Sequence, residues 1–165
     1  GAGSRNDTGK NKAKDWDKNK PDKYYFNTLK NKSNEQIIWG GNYYDLPSTQ
    51  CFLIWDKLDY NSDFAAAELA WTSFKRVTKI FQHARNKGKD NKIHPTQKPV
   101  ALYEWIIKNY AKPNDKILDT HLGSGSSAIA AYDGGFDFVG CEIDADYYAA
   151  ALKRFNIHKQ QLVLL

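Results

Sequence analysis

The stretch LDTHLGSGSSAIAA, Leu118–Ala131, decides the fold, because a short apolar segment runs there into a glycine-rich turn and a run of small residues. Gly123, Gly125 and Ala128 have the spacing G-x-G-x-x-A. An acid follows at Glu142. This pattern is close to the dinucleotide-binding fingerprint. It predicts a strand, a turn and a helix whose ligand lies beyond the carboxyl end of the strand.

The surrounding sequence extends this pattern into an α/β fold. In the second half we predict helices over Pro99–Ala111, Ser126–Tyr132 and Asp146–Phe155, strands over Lys116–Asp119 and Phe136–Asp144, and a last strand or tail over Gln161–Leu165. In the first half we predict strands over Ile37–Trp39, Cys51–Lys57 and Arg76–Ala84, with Phe64–Phe74 left open between helix and strand. Alternation of strands and helices predicts a parallel crossover between the two strands of the second half.

Composition limits the class of protein. A length of 165 residues suits one domain, and 41% hydrophobic residues are enough to build its core. No signal-peptide pattern and no membrane-spanning apolar run are present, so we predict a soluble cytoplasmic protein. The two cysteines predict no disulfide framework, and Cys141, in an apolar run, is predicted to be buried. No zinc-ligand spacing is present, so we predict no metal site.

The net charge of +5 permits a nucleic-acid partner, and its placement says more than the total. One stretch holds many basic residues and a single acid, Asp90; the basic residues are Lys75, Arg76, Lys79, Arg85, Lys87, Lys89, Lys92 and Lys98. This stretch is either a solvated loop or a surface that contacts phosphates.

The glycine turn has three possible roles: it holds a dinucleotide, it holds a different ligand, or it is purely structural. A P-loop is excluded because no Gly-Lys-Ser/Thr follows at the required spacing. Asp119 ends the predicted strand four residues before Gly123, where a carboxylate would repel a pyrophosphate. A ligand with an adenosyl group and positive charge, such as S-adenosylmethionine, suits the site better, with Glu142 accepting the ribose hydroxyls. A purely structural turn remains the third alternative.

Several motifs together resemble the DNA amino-methyltransferases, which methylate adenine N6 or cytosine N4. They are QIIWGGNYY, IWDK, ELAWTSF, IHPTQKP, LDTHLGSGSSAIAA and FVGCEID. Their order is similar to the subgroup in which the catalytic half comes first and the cofactor half last. The resemblance covers roughly residues 30–165. It implies a Rossmann-like sheet with helices on both faces, permuted motif order and S-adenosylmethionine as the cofactor.

The resemblance also implies roles for individual residues. The cofactor would lie against His94, Thr96, Lys98, Pro99, Asp119, Gly123, Ser124, Gly125 and Glu142. The target-base pocket would be walled by Trp39, Gly40, Gly41 and Asn42. For Trp39, Trp55 and Trp71 a place in the core is favoured, although one of them could stack on an extruded base. We expect Arg85, Lys87, Lys89 and Lys92 to contact double-stranded DNA.

This organisation divides a single methyltransferase domain, residues 1–165, into four parts. Residues 1–23 are predicted to form a flexible basic arm, 24–83 the catalytic and base-pocket half, 84–93 a basic loop, and 94–165 the cofactor-binding half. Because the basic loop is short, DNA contacts should fall mainly on phosphates. The DNA sequence that this chain recognises would then be short, or a second subunit, such as the other copy in a homodimer, would supply the specificity.

The family's catalytic tetrad, Asp or Asn followed by Pro-Pro and an aromatic residue, does not occur in these 165 residues. The chain has no methionine and begins with Gly1, so we expect it to be cut just after the tetrad, with one sheet strand missing. As given it should then be inactive. Adenine N6 is the expected target. Methylation of cytosine N4, methylation of RNA, and a catalytically inactive cofactor- or DNA-binding relic remain alternatives. Asp45 and Asp56 are the nearby carboxylates that could substitute.

Overall fold

The computed structural model describes residues 20–61, 63–85 and 92–162. In chain order the elements are α1 (Lys23–Lys32), β1 (Ile37–Trp39), β2 (Phe52–Asp56), β3 (Ala67–Thr72), β4 (Lys79–Gln82), α2 (Val100–Tyr110), β5 (Lys116–Asp119), α3 (Ser126–Asp133), β6 (Asp137–Gly140) and α4 (Ala145–Leu162). Helices alternate with strands in the second half, as the sequence predicts. The α/β class is therefore confirmed.

The first half of the chain forms a four-stranded sheet in the order β1-β3-β2-β4. Strand β3 is antiparallel to both β1 and β2, and β4 runs parallel to β2. Alternate side chains of β2 point inward, so that Leu53 and Trp55 are buried. Residues 64–74, which the sequence left open, contain strand β3 and no helix.

One face of this sheet packs against helix α2. The core joins strand residues and helix residues, namely Cys51, Leu53, Trp55, Ala70, Leu102, Ile106 and Tyr110. The three helix residues recur every four positions, which places them on one helical face. This confirms the spacing from which the helix was predicted. Trp55 lies in the core and Trp39 packs at its margin, whereas Trp71 is partly buried and donates its indole N–H to the carbonyl of Pro47 at 2.7 Å.

The second half of the chain contains a parallel pair of strands. Strand β5 pairs with β6 in the register Leu118↔Val139, and α3 connects the two. Helix α3 packs against both α2 and β6. The predicted parallel crossover is therefore confirmed. Within the described residues the β5-β6 pair and the four-stranded sheet share no hydrogen-bonded ladder.

Two predictions in this half were wrong. Strand β6 ends at Gly140 and the following residues turn back over the glycine loop, so the predicted strand over Phe136–Asp144 is too long. Cys141 is exposed, because it lies on the same side as Val139, a face of β6 that the described residues leave uncovered. The buried position predicted for this cysteine is therefore incorrect.

The helices also differ from their predicted extents. Helix α4 continues to Leu162, so the segment predicted as a last strand or tail begins inside a helix. Helix α1 was not predicted at all. Its start is capped by Asp22, whose carboxylate accepts the amide of Tyr25 at 2.8 Å. No helix in the described part of the chain is long and apolar enough to cross a membrane.

Candidate functional site

The glycine loop between β5 and α3 depends on two left-handed glycines. Gly123 has φ +53° and Gly125 has φ +74°. Both conformations are strained for residues that carry a Cβ. A Cβ at Gly125 would also lie 3.3 Å from the Cβ of Ala151, which belongs to α4. The loop therefore needs glycine at these positions, as the fingerprint spacing predicts.

Two carboxylates fix the loop at its ends. Glu142 accepts the amide of Gly123 at 2.8 Å on one oxygen and that of Asp144 at 3.0 Å on the other. Asp119 accepts the hydroxyl of Ser127 at 2.5 Å and the amide of His121 at 2.9 Å. Each carboxylate oxygen still has a lone-pair site beyond the bond it makes here. The two predicted acidic site residues therefore lie together at the carboxyl ends of adjacent parallel strands.

Serines and an arginine hold the other side of the loop. The guanidinium of Arg154, on α4, donates to the carbonyl of Ser124 at 3.0 Å and to the hydroxyl of Ser126 at 2.8 Å. Ser126 in turn donates its hydroxyl to the carbonyl of Lys98 at 2.7 Å. Sequence reasoning named Ser124 but missed Arg154, because a basic residue on an amphipathic helix carries no signal that it points inward.

The segment His94–Pro99 covers the glycine loop. The ring of His94 lies 3.5 Å from the position that a Cβ at Gly123 would take, and it packs edge-on against Tyr147 with ring centroids 4.4 Å apart. The Thr96 hydroxyl is 3.1 Å from Nδ1 of His94. Pro99 is buried at the start of α2. His94 and the carbonyl of Lys98 therefore contact the loop, and Thr96 and Pro99 belong to the same short segment.

Burial lowers the pKa of the His94 imidazole. The nearby carboxylates of Glu142 and Asp144 act in the opposite direction, and the ammonium of Lys98 adds to the lowering. The net result is a pKa below the ordinary value of histidine. The neutral ring is therefore favoured at neutral pH, which suits a residue packed over the loop.

The ammonium of Lys98 is bound by a carboxylate that the sequence did not single out. Glu68, on β3, lies 3.0 Å from Nζ of Lys98 and 2.8 Å from Nζ of Lys57. Burial raises the pKa of Glu68, but the ammonium of Lys98, followed by Lys57, outweighs it, so the pKa lies below its usual value. Both lysine side chains are largely buried, whereas Glu68 is about one-third exposed. This cluster joins the two halves of the chain.

The predicted base-pocket residues form a turn beside this cluster. Trp39 ends β1, and the ammonium of Lys98 lies 5.2 Å from its ring centroid. Gly40 is left-handed at φ +69° and leads into a single turn of 3-10 helix over Gly41–Tyr43. A Cβ at Gly41 would lie 2.4 Å from the Cβ of Trp71, so only glycine fits there. Asn42 is exposed.

Helix α1 reaches the same end of β5. The hydroxyl of Tyr25 is 2.6 Å from that of Thr120 and 3.3 Å from Nδ1 of His121, the two residues that follow Asp119. Burial raises the pKa of Tyr25, and the carboxylate of Asp119 adds to this effect. Sequence reasoning missed Tyr25 because it missed the helix.

Of the four residues predicted to contact DNA, the structure describes Arg85 and Lys92. Arg85 donates to the carbonyl of Ala65 at 2.8 Å, and its guanidinium lies 5.0 Å from the centroid of the Phe64 ring. Arg85 is therefore engaged within the protein by Phe64 and Ala65. Lys92 is exposed. Lys87 and Lys89 lie outside the described residues.

The two carboxylates that could substitute for the tetrad, Asp56 and Asp45, have different surroundings. Asp56 accepts the amide of Leu58 at 2.9 Å, the hydroxyl of Tyr60 at 2.7 Å and the side-chain amide of Gln82 at 3.0 Å. These donors leave it poorly suited to accept hydrogens from a substrate amine. Asp45 is exposed.

Comparisons with known proteins agree on one protein family. Residues 4–153 match the family model described as DNA methylase, of the N6/N4 type. A protein of Escherichia coli (strain K12) named as a methylase, YubD, is 37% identical over 68 residues. The type II methyltransferase M1.MboII of Moraxella bovis is 46% identical over 61 residues. These matches cover 41% and 36% of this chain, but only 30% and 24% of the two relatives' own length.

A solved structure is similar over a larger part of the chain. The M1.HpyAVI–SAM complex superposes with a TM-score of 0.56 and 25% identity, covering 81% of this chain and 68% of that one. The fold is therefore that of a Rossmann-like methyltransferase. Because the family model matches most of the chain, including the glycine loop and both halves of the site, the chain belongs to the N6/N4 DNA methylase family.

Proposed function

We propose that this chain binds S-adenosylmethionine at the glycine loop and serves in the transfer of its methyl group to the N6 amino group of adenine in double-stranded DNA. The observation that supports this proposal most directly is the pair of carboxylates, Asp119 and Glu142, at the ends of adjacent parallel strands on either side of the loop. Two negative charges there disfavour a pyrophosphate and favour a cationic adenosyl ligand. Family membership and the SAM complex of M1.HpyAVI support the same cofactor.

The residues present fit this cofactor chemically. Asp119 and Glu142 keep acceptor sites for an ammonium group and for ribose hydroxyls. Lys98 offers an ammonium group for a carboxylate, and its position is set at both its carbonyl and its Nζ. Gly123 and Gly125 let the main chain approach a ligand without an intervening Cβ.

The reaction needs positioning more than covalent chemistry by the protein. S-adenosylmethionine, when bound, supplies a methyl group on a sulfonium. The amino nitrogen of adenine is a poor nucleophile because its lone pair is delocalised into the ring, so acceptors on its hydrogens must favour the pyramidal form. The turn formed by Trp39, Gly40, Gly41 and Asn42 would hold an extruded base on the cofactor side of the site. Neither Cys51 nor Cys141 has a role in this scheme.

By the family resemblance, the acceptors for the target amine belong to an Asp/Asn-Pro-Pro-aromatic tetrad, and this motif does not occur in these 165 residues. Among the described residues, Asp56 is already engaged by three donors. We therefore expect residues 1–165 alone to bind the cofactor without methylating DNA. Adenine is proposed over cytosine on the strength of the sequence resemblance, and cytosine N4 is the alternative within the same chemistry.

Methyl transfer from labelled cofactor to duplex DNA tests this proposal. Residues 1–165 would be compared with a version that carries the Asp-Pro-Pro-Tyr segment of a related methylase ahead of Gly1. We expect label in DNA only with the second protein, and nucleoside analysis should recover it as N6-methyladenine. Product at cytosine N4 would overturn the base assignment, and turnover by residues 1–165 alone would show that the catalytic centre lies elsewhere.

A further inference from the structure

The Lys57–Glu68–Lys98 cluster carries an unequal number of charges. One carboxylate faces two ammonium groups, with Oε1 of Glu68 at 2.8 Å from Lys57 and Oε2 at 3.0 Å from Lys98. The side chains of Lys57 and Lys98 are only 9% and 12% exposed. The cluster therefore holds a net charge of one positive unit in a largely desolvated place, where an incoming anion is bound more strongly than in water.

Lys57 reaches this cluster from the base-pocket half of the chain. It follows β2 directly, and its amide donates to the carbonyl of Ala66 at 2.8 Å. Its ammonium lies 5.2 Å from the centroid of the Trp55 ring, and Trp55 belongs to the core. Because its main chain and side chain are both held, Lys57 cannot easily leave Glu68 for another partner.

Lys98 is held differently. Its carbonyl is bound by Ser126 at the first turn of α3, and its ammonium lies against Glu68 and over the Trp39 ring. If Glu68 had Lys98 as its single partner, the pair would be neutral and would attract no further anion. Lys57 changes this balance, since it supplies the second positive charge.

We propose that Lys57 is a positioning residue that neutralises Glu68 and so leaves the charge of Lys98 available to the carboxylate at the methionine end of the cofactor. This inference rests on the proposed cofactor site. It makes Lys57 a determinant of cofactor affinity although it lies on the other half of the chain. Glu68 then acts through Lys98 and has no contact of its own with the cofactor.

Two ligands separate this role from a merely structural one. S-adenosylhomocysteine has the amino-acid end with its carboxylate, whereas 5′-methylthioadenosine has the same adenosine and thioether without it. Calorimetry on the purified protein should show that Lys57→Met weakens binding of S-adenosylhomocysteine by about tenfold, because one unit of partly buried charge is removed. Binding of 5′-methylthioadenosine should stay unchanged. Lys108→Met, at an exposed position on α2, is the matched control and should change neither affinity.

Variants of Glu68 test the same charge balance, and the single Glu68 variant does not depend on the stability of Lys57→Met. Glu68→Gln raises the net charge of the cluster, so it should bind S-adenosylhomocysteine at least as tightly as the wild type. The double variant Lys57→Met/Glu68→Gln keeps Lys98 as the single charge, so its affinity should return to within about threefold of the wild type.

Three results would overturn the inference. They are an equal loss of both ligands in Lys57→Met, a double variant that binds as weakly as Lys57→Met or more weakly, and a loss of S-adenosylhomocysteine binding in Glu68→Gln. Failure of the wild type to bind S-adenosylhomocysteine would instead refute the proposed function itself, and the inference with it. The two failures are therefore distinguishable.

Discussion

At the scale of single residues, the glycine loop owes its shape to polar side chains as much as to its glycines. Glu142 holds the amide of Gly123, and Arg154 holds the carbonyl of Ser124. Spacing alone predicts the glycines and the acids, because their positions along the chain are diagnostic. The partners Arg154, Lys57 and Glu68 could not be predicted in this way, since their contacts depend on how distant elements pack.

Arg154 gives the first prediction at this scale. Arg154→Gln should lower the free energy of unfolding by about 1–3 kcal/mol, because it removes hydrogen bonds from a charged donor to Ser124 and Ser126. Urea unfolding followed by circular dichroism measures this. Lys153→Gln, the exposed neighbour on the same helix, is the control and should have little effect. Equal stability of both variants would show that the guanidinium does not hold the loop.

His94 gives a pH-dependent prediction. Its pKa in the folded protein lies below the ordinary value of about 6.5 that it has in the unfolded chain. The unfolded state therefore takes up a proton more readily as the pH falls below that value, and stability falls with it until the folded pKa is reached. Between pH 7 and pH 5, His94→Asn should lose less thermal stability than the wild type.

Thermal midpoints at pH 7, 6 and 5 check this expectation. Asn156→Ser, at an exposed position on α4 that carries no titratable group, is the control and should keep the wild-type pH dependence. Glu142, Asp144, Lys98 and Lys92 act on the His94 ring in the folded protein, and the variant keeps all four of them. Parallel pH profiles for the wild type and His94→Asn would contradict the depressed pKa.

At the scale of elements, hydrophobic spacing predicts the well-packed segments and misses the others. Helix α2 follows its apolar repeat, and β5 begins and ends where the sequence predicts. Helix α1 has no buried residue, and its half-buried apolar residues Tyr25, Phe26 and Leu29 make up only one turn of such a repeat, which is too short to predict a helix. Strand β6 ends early because residues after Gly140 bind the loop, a tertiary contact that the apolar run conceals.

Helix α2 is predicted to contribute much of the stability of the first half. Leu102 is fully buried against the four-stranded sheet, so Leu102→Ala should cost about 2–5 kcal/mol of unfolding free energy. Glu104→Ala, on the exposed side of the same helix, should cost far less. Guanidinium unfolding of both variants makes the comparison. Similar losses would show that α2 does not pack as described.

The basic segment that includes residues 84–93 is predicted to contact DNA phosphates. Lys87→Glu, Lys89→Glu and Lys92→Glu together should weaken binding to all duplex sequences alike. They should also reduce the slope of log affinity against log salt by about one for each phosphate that the protein no longer neutralises. Fluorescence anisotropy at several salt concentrations measures both. Weakening confined to one DNA sequence would mean that this segment reads bases.

At the scale of the whole molecule, the two halves meet at the apolar core between α2 and the four-stranded sheet and at a few polar contacts. Glu68 joins Lys57 to Lys98, and Tyr25 joins α1 to the end of β5. The order of the motifs alone predicts which half holds the base pocket and which half holds the cofactor site, because it resembles the order in a known subgroup. The polar contacts between the halves are long-range, so the sequence holds no periodic signal for them. This is why the site was predicted as two separate sets of residues.

Cofactor choice is the central claim, and calorimetry with S-adenosylhomocysteine and with NAD tests it most directly. We expect the protein to bind S-adenosylhomocysteine with micromolar affinity and NAD not at all. Asp119→Ala should weaken binding by about tenfold or more, because it removes a partner of a cationic group at the loop. Tight binding of NAD without binding of S-adenosylhomocysteine would contradict the account, and an unchanged affinity in Asp119→Ala would contradict the role given to that carboxylate.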